Sequence, residues 1–372
     1  MISARHMSFL KSTKKQLRHH IGPPLQALGY ATGFMQLTAR FRRINGAIIL
    51  MYHSVADDAH SKWVDPRNHV PAVVFRKQME FLARERRVVA LTDLIAMLHR
   101  GRTPETGTVV ITFDDGYLDN FTIAASILDY YGLTATLFLP TVYIDREEAQ
   151  WVDQAYTAFK FRTKHVLTWG QSMKTLFDLD DAKQYVDGYQ AVCQALLSAS
   201  AIQRRILLDD LHKQLQPASH PPRLTMNWDE VRTLLGNHHC FEIGGHTLEH
   251  ADLTSISHSE AKNELIACSQ RIKDELGVQP CHFSFCYGRT SEPLRQLVSQ
   301  AGFEAAFGAC GNDPVVTHAT DLFDLPRLEA PASMRCFDLL TSPANTGIWR
   351  KLGRGTATCC PPQRQERSQW VG

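Results

Sequence analysis

From residue 47 onward, short runs of apolar residues alternate with segments whose apolar residues recur at helical spacing. The runs are apolar throughout instead of alternating with polar residues, which is typical of parallel strands that are covered on both faces. We therefore predict eight buried strands: Ala47–Tyr52, Val88–Leu91, Val109–Phe113, Thr134–Leu139, Cys240–Ile243, His282–Cys286, Ala305–Ala309 and Phe323–Leu328.

The segments between these runs carry helix signals. Asn227 precedes a helical pattern that starts at Trp228, and asparagine is a favoured residue before the first turn of a helix. Gly277 and Gly302 follow two other helical segments, at the position where glycine often ends a helix. Seven or eight strand–helix units in one register predict an α/β barrel or an open α/β sheet.

One long segment breaks this rhythm. Residues 150–225 contain two helical patterns, Gln184–Leu197 and Ile202–Leu215, and no clear strand. We interpret this segment as a helical insertion between two strand–helix units. Residues 346–372 are polar, with several Gly and Pro residues, and are predicted to form a disordered tail.

The composition is that of an ordinary globular protein, since 44% of the 372 residues are hydrophobic and 21% are charged. No apolar run approaches the roughly 18 residues that span a bilayer. Nine cysteines without a CxxC pair argue against a disulfide framework and favour a reducing compartment.

Charge is distributed unevenly along the chain. Residues 1–56 carry eight Lys or Arg and no acidic residue, so this stretch has a charge of +8, and the rest of the chain has −6. A basic arm favours an anionic partner, either a membrane surface or nucleic acid. Within it, residues 24–43 suggest a helix that lies on a membrane surface or packs on the main domain. The arm lacks the apolar core of a secretory signal, so we expect a cytoplasmic protein.

The sharpest chemical signal is the run Thr112-Phe113-Asp114-Asp115-Gly116, in which two carboxylates follow a buried strand. Barrel and open-sheet enzymes place reactive groups at the carboxyl ends of strands. Gly116 permits a turn that brings both carboxylates to one cleft. A metal ion would hold the two charges together, whereas the alternative is a simple Asp-Gly turn.

A second strand end leads through two glycines to His246 and His250. Two histidines at this spacing suit one cation, and with one carboxylate they make a three-ligand site with an open position. Such a site is typical of metal-dependent hydrolases and of non-haem iron oxygenases. The oxygenases use antiparallel jelly rolls, whereas this chain alternates strands and helices, so a hydrolase is favoured.

Three further strand ends carry weaker signals. The backbone N–H groups around Tyr287 could stabilise an oxyanion, although the pattern by itself favours an ordinary strand and turn. His53 follows the first strand, where it is either a general acid or a loop histidine. Arg327 lies at the end of the last predicted strand, where it either pairs with a catalytic carboxylate or forms a surface salt bridge.

Together these five motifs resemble the polysaccharide deacetylases of the NodB type. The family signatures T-F-D-D-G, H-[ST]-x-x-H and Tyr-Gly correspond to Thr112–Gly116, His246–His250 and Tyr287-Gly288. The segments Met51-Tyr52-His53 and Leu325-Pro326-Arg327 resemble the subset that acts on exopolysaccharides. The resemblance covers roughly residues 46–330 outside the insertion, and it implies an irregular (β/α)7-type barrel.

The resemblance also implies roles for individual residues. The metal ligands would be Asp115, His246 and His250, holding one divalent ion, most often Zn, with Co, Ni or Fe as alternatives. Four residues would do the chemistry: Asp114 as general base, His53 as acid for the departing amine, Tyr287 through its backbone N–H at the oxyanion, and Arg327 as the residue that orients Asp114. The substrate would be an N-acetylated glycan, and no nucleic acid is expected.

Two positions depart from the family pattern. Cys286 stands where proline usually precedes the Tyr-Gly pair, and it places a thiol near the metal. Ser284 stands where other branches have an arginine, which leaves the partner of Asp114 open. These departures motivate one alternative, a glycan-binding protein with a decayed site. The resemblance leaves a second alternative, a hydrolase of a non-sugar amide or a formamide on the same fold, because related hydrolases of this type act on such substrates.

These inferences give three parts of the chain. Residues 1–45 form the basic arm, residues 46–345 the catalytic domain with its insertion at about 150–225, and residues 346–372 the tail. The arm suggests peripheral contact with anionic membrane at the inner face, which would suit a lipid-linked glycan precursor as substrate.

Overall fold

The computed structural model describes residues 45–57, 60–144, 146–170, 174–308 and 314–342. The basic arm and the predicted tail lie outside these residues, so the membrane contact and the tail's disorder stay predictions. The strands are β1 Ala47–Tyr52, β2 Arg87–Val88, β3 Thr108–Asp114, β4 Ala135–Leu139, β5 Val166–Trp169, β6 Thr175–Asp178, β7 Phe241–Gly245, β8 His282–Ser284, β9 Ala305–Gly308, β10 Leu325–Pro326 and β11 Leu328–Glu329.

Helices separate most of these strands. They are α1 Ala72–Glu85, α2 Leu91–His99, α3 Ala125–Tyr131, α4 Thr141–Ile144, α5 Trp151–Lys160, α6 Ala182–Leu197, α7 Ala201–Leu215, α8 Trp228–Asn237, α9 His258–Leu276, α10 Glu292–Gln300 and α11 Met334–Thr341. The predicted caps are confirmed in two cases, because Asn227 accepts a hydrogen bond from Glu230 N at the start of α8 and Gly277 ends α9 in the left-handed conformation.

The main sheet is parallel and runs in the order β10-β9-β8-β7-β4-β3-β1-β11, with the short β2 also paired to β3. The first and last strands of this order are separated in sequence only by Arg327. Leu325 pairs with Phe307 of β9, and Leu328 pairs with Leu50 of β1. This crossing nearly closes the sheet into a barrel. If β10 and β11 are counted as one interrupted strand, the barrel has seven strands. The predicted (β/α)7-type barrel is confirmed.

Alternate side chains of the strands enter two different apolar clusters. Ile49, Val110 and Phe307 lie in one cluster, which joins strands from distant places in the sheet order and therefore fills the barrel. Leu50 and Ile111 lie in the other, with the helices outside. Burial on both faces explains why the strands read as continuous apolar runs.

The segment after α4 forms a unit with its own apolar core. Helices α5, α6 and α7 pack together with the β5–β6 hairpin, and Phe159, Leu167 and Leu211 are among the buried residues. The prediction of a segment without strands is wrong, because the hairpin spans Val166–Trp169 and Thr175–Asp178. Its outer face is exposed and its strands have four residues each, so it lacks the long apolar run by which the barrel strands were recognised. We call residues 146–225 the helical insertion.

None of the helices in the described ranges has both the length and the apolar character that crossing a bilayer requires.

Candidate active site

Both carboxylates of the Asp-Asp pair lie at the carboxyl end of β3, and both are buried. Asp114 is the last strand residue, and the backbone of Asp115 is left-handed with φ 74°. Gly116 continues the turn with φ 65°, where a Cβ would stand 2.9 Å from Leu139 and Ile144 side-chain atoms. This tight turn redirects Asp115 after the strand, as the sequence predicted.

The two histidines lie on a loop that follows β7, and the loop is not helical. Thr247 and His250 both have left-handed backbones, with φ 64° and 52°. The backbone N–H groups of Leu248 and Glu249 each donate to Glu264 Oε2 at 2.9 Å. Glu264, on α9, therefore fixes the loop between the histidines, and its side chain replaces the hydrogen bonds that a helix would supply.

Three side chains converge where the sequence predicted a metal site. Asp115 Oδ1 lies 3.5 Å from His246 Nε2 and 3.1 Å from His250 Nε2. These separations suit ligands of one tetrahedral ion, which at bonds of about 2.1 Å lie about 3.4 Å apart. Asp115 Oδ1 is buried and accepts no hydrogen bond within the described residues, which is costly unless a cation satisfies it. The residues present therefore fit a divalent metal.

The second nitrogen of each imidazole is engaged elsewhere. His246 Nδ1 lies 2.7 Å from Ser284 O, and because a carbonyl can only accept, Nδ1 carries a proton, so that in the neutral imidazole the lone pair is on Nε2. His250 Nδ1 lies 3.0 Å from the hydroxyl of Tyr287. Such contacts orient metal-binding histidines and fix their tautomer.

Cys286 is a further group near these histidines that could bind a metal. Its sulfur lies 3.9 Å from His246 Nδ1 and 3.5 Å from His246 O. A site that used Cys286 with the near nitrogen of His246 would break the hydrogen bond to Ser284. The set Asp115, His246 and His250 leaves that bond intact, and it is the ligand set that we favour.

Asp114 is held by a buried arginine. Arg327 donates to Asp114 Oδ1 at 2.7 Å and to Oδ2 at 2.6 Å. Ser284 also contacts both partners, since it accepts from Arg327 at 2.7 Å and donates to Asp114 Oδ2 at 3.2 Å. Burial alone would raise the pKa of Asp114, but the adjacent Arg327 charge outweighs it and holds the pKa below its usual value. Asp114 therefore stays ionised, as a base must.

The partner of Asp114, which the sequence left open, is thus Arg327, and the pair is buried rather than a surface salt bridge. Ser284 does not replace the arginine of other branches by itself. Its hydroxyl bridges Asp114 to an arginine that comes from another strand.

Tyr287 lies in the short turn after β8 with a left-handed backbone, φ 58° and ψ 11°. Among the described residues its N–H donates no backbone hydrogen bond, and its part in binding an oxyanion stays a prediction. The side chain has a second set of contacts that the sequence did not indicate. Its hydroxyl touches His250, as above, and accepts a hydrogen bond from Trp151 Nε1 at 3.0 Å.

His53 follows β1, close enough to the Asp115 and Asp114 carboxylates for their charges to act on it. Burial is the largest influence and lowers the pKa of His53 despite these charges. Asn120 Nδ2 donates to His53 O at 2.8 Å and anchors the backbone. The structure thus brings all seven predicted residues to one end of the barrel, while their catalytic roles stay predictions.

A family comparison matches more than half of the chain. The model of the family described as polysaccharide deacetylase matches residues 101–199 and 202–306. This range includes the carboxylates after β3, the histidine loop and Tyr287, whereas His53 and Arg327 fall outside it.

Among the curated proteins, the chain resembles YxkH of Bacillus subtilis (strain 168), which is provisionally named a polysaccharide deacetylase. The two are 37% identical over 93 residues, which is 24% of this chain and 30% of YxkH. The matched part thus spans less than a third of that relative.

Two solved structures share the fold over most of the chain. The Streptococcus pyogenes deacetylase PplD, solved in complex with acetate, has a TM-score of 0.53 and 14% identity, with 81% of this chain and 99% of PplD covered. IcaB from Ammonifex degensii has a TM-score of 0.53 and 13% identity, with 82% of this chain and 99% of IcaB covered.

Proposed function

The chain belongs to the polysaccharide deacetylase family, and we propose that it is a metal-dependent hydrolase that removes N-acetyl groups from a glycan built of N-acetylhexosamines. The observation that carries the proposal is the convergence of His246 Nε2 and His250 Nε2 on Asp115 Oδ1, an oxygen that accepts no hydrogen bond from the described residues, beside the ionised Asp114. A divalent ion bound there would supply Lewis-acid polarisation of the carbonyl and of the attacking water.

The chain's own residues supply the proton transfers. Asp114 accepts a proton from the water that attacks the acetamide carbonyl carbon, and Arg327 keeps the carboxylate ionised and aimed. The N–H of Tyr287 donates to the oxyanion that forms on the carbonyl oxygen. When the carbon–nitrogen bond breaks, His53 donates a proton to the amine, and acetate leaves.

A lowered pKa suits the part assigned to His53. The imidazole is neutral in the resting site at neutral pH, so it adds no positive charge beside the metal ligands. His53 takes up a proton from solvent as negative charge develops nearby in the reaction, and it passes that proton to the amine nitrogen when the carbon–nitrogen bond breaks, while Asp114 holds the proton taken from the attacking water.

The test combines metal content with acetate release. We expect about one Zn per wild-type chain by elemental analysis and its loss in His246→Ala. We expect Asp114→Asn to keep the metal, because Asp114 is not a ligand, and to lose acetate release from N-acetylglucosamine oligomers by about 10²-fold or more. Acetate release that survives Asp114→Asn would contradict the proposal.

The same assay separates the alternative hydrolase. A formamide on an aminosugar would yield formate from the same site, so formate and acetate are measured together on formylated and acetylated substrates. A folded wild type that binds no Zn even when it is added would instead favour a glycan-binding protein with a decayed site.

A further inference from the structure

Two consecutive residues at the start of α5 contact the metal site. Gln150 Nε2 donates to Asp115 O at 2.9 Å, and Trp151 Nε1 donates to Tyr287 Oη at 3.0 Å. Gln150 is 1% exposed and Trp151 is 4% exposed. Both contacts are therefore made away from water, where a hydrogen bond is electrostatically stronger.

The contact from Trp151 continues to a metal ligand. The Tyr287 hydroxyl that accepts from Trp151 lies 3.0 Å from His250 Nδ1, and His250 Nε2 faces Asp115. The Tyr287 ring also lies edge-on to the His250 ring, with centroids 5.0 Å apart. Trp151 is thus two contacts from His250, which would bind the ion.

The residues that receive these contacts have unfavourable backbones. Asp115, His250 and Tyr287 all have positive φ angles, at 74°, 52° and 58°. Such conformations cost on the order of 1–3 kcal/mol each for residues other than glycine, and persist only where the surroundings hold them. Gln150 binds the backbone of one of these residues, and Trp151 holds the side chain of another.

Packing alone explains the Trp151 ring but not its N–H. The ring belongs to the core of the helical insertion, and the Arg204 guanidinium lies 5.5 Å from its centroid. Arg204 also donates to Glu249 O at 3.4 Å in the histidine loop. The insertion therefore contacts the site through the Trp151 N–H group. A phenylalanine at this position would keep an aromatic ring but lack that donor.

We propose that Gln150 and Trp151 are positioning residues of the metal site, so that the helical insertion is a structural part of that site. Gln150 holds Asp115 in its left-handed turn, and Trp151 fixes the Tyr287 hydroxyl that orients His250. This rests on the proposed function only in that Asp115, His246 and His250 bind a divalent metal.

The test measures metal affinity rather than turnover. Trp151→Phe keeps an aromatic ring and removes the N–H donor, and Gln150→Met keeps the length and removes the amide. The Zn dissociation constant of each variant is measured by competition with a chromophoric chelator. We expect each to bind Zn about 10-fold more weakly than the wild type, the size found for other groups that orient metal ligands.

The matched control is Trp169→Phe. Trp169 is 6% exposed in the same insertion core, and within the described residues no side-chain hydrogen bond or aromatic ring pair joins it to Asp115, His246, His250 or Tyr287. We expect this variant to lower the unfolding midpoint of the metal-free protein without changing the Zn dissociation constant. The visible spectrum of the Co²⁺-loaded protein should change in Trp151→Phe and not in Trp169→Phe.

The outcomes separate the two proposals. A wild type that binds Zn, with Trp151→Phe and Gln150→Met binding it equally well, overturns the positioning role and leaves the deacetylase proposal standing. Equal weakening in Trp169→Phe also overturns it, since the effect would then be loss of insertion stability. If Trp151→Phe does not fold, Gln150→Met decides. A wild type that binds no Zn overturns both proposals.

Discussion

Arg327 and Asp114 are 213 residues apart in sequence and share two hydrogen bonds of 2.7 and 2.6 Å. Arg327 lies between β10 and β11, at the place where the chain crosses from β9 to β1 and nearly closes the barrel. Arg327 therefore lies where the barrel closes and also orients Asp114, the proposed base. The pair has almost no access to water, so its strength depends on keeping both partners.

We expect Arg327→Gln to destabilise the protein by about 3–5 kcal/mol, because it leaves the Asp114 carboxylate buried without its countercharge. Urea unfolding at pH 7 measures this. The double variant Arg327→Gln with Asp114→Asn removes both charges and should regain much of the stability without regaining activity. A single variant as stable as the wild type would contradict the account of the pair.

Gly244 lies on β7 where the neighbouring strand approaches closely. A Cβ there would stand 2.4 Å from the Phe138 ring and 2.9 Å from His282 O. We expect Gly244→Ala to lower the free energy of unfolding by about 1–3 kcal/mol through overpacking. Gly236→Ala is the control, because it has open space within α8 and should stabilise by about 0.5–1 kcal/mol. Equal effects in thermal unfolding would argue against the close approach.

Asp119 anchors the backbone after His53, and its raised pKa makes the stability of the protein depend on pH. It accepts from Ser54 Oγ at 2.6 Å and from Val55 N at 2.8 Å, yet burial raises its pKa to about 6. Since the folded pKa lies above the unfolded value, this group's contribution is fully present below about pH 4 and is lost as the pH rises through about 6.

We therefore expect wild type to lose stability relative to Asp119→Asn between about pH 4 and 6, by up to about 3 kcal/mol. Above that range the difference should be constant. Unfolding of both proteins at each pH measures it. A difference that is flat from pH 4 to 7 would show that Asp119 titrates normally in the folded protein.

Glu264 should matter for the metal although it cannot bind it. Its Oε2 accepts from Leu248 N and Glu249 N, between the two histidines. We expect Glu264→Ala to weaken Zn binding by about 10-fold, because the loop loses its anchor. Glu264→Gln keeps one oxygen that can accept both bonds and should bind Zn nearly as well as the wild type. A chelator competition in which the two variants behave alike would count against this role of the loop.

The strands that could be predicted are those with two covered faces. β1 matches its predicted bounds, and β3 and β4 differ from theirs by one residue at one or both ends. The β5–β6 hairpin was missed because its strands are short and half exposed, as with Leu176 at 65% exposure. A run of apolar residues in the sequence indicates a buried strand. A strand that is largely exposed has no such run, so the sequence does not reveal it.

The residues of the site likewise include some that the sequence could predict and some that it could not. The carboxylates, the histidines, His53 and Tyr287 could be proposed because each follows a strand end, and parallel strands bring those ends together. Gln150 and Trp151 gave no signal, and Ser284 was recognised only as a departure from the family pattern and not by the contacts it makes. They act through contacts with residues 35, 136 and 170 positions away, and nothing in their local sequence distinguishes them from core or turn residues.

The sequence by itself determined the alternation of strands and helices, the positions of the residues proposed as metal ligands and acid–base groups, and the family, because these depend on residue type and local spacing. Only the tertiary structure decided that Arg327 pairs with Asp114 and that the insertion reaches the ligands through Gln150 and Trp151. Those contacts join segments far apart in the chain, and the closure of the barrel and the packing of the insertion core are what bring them together.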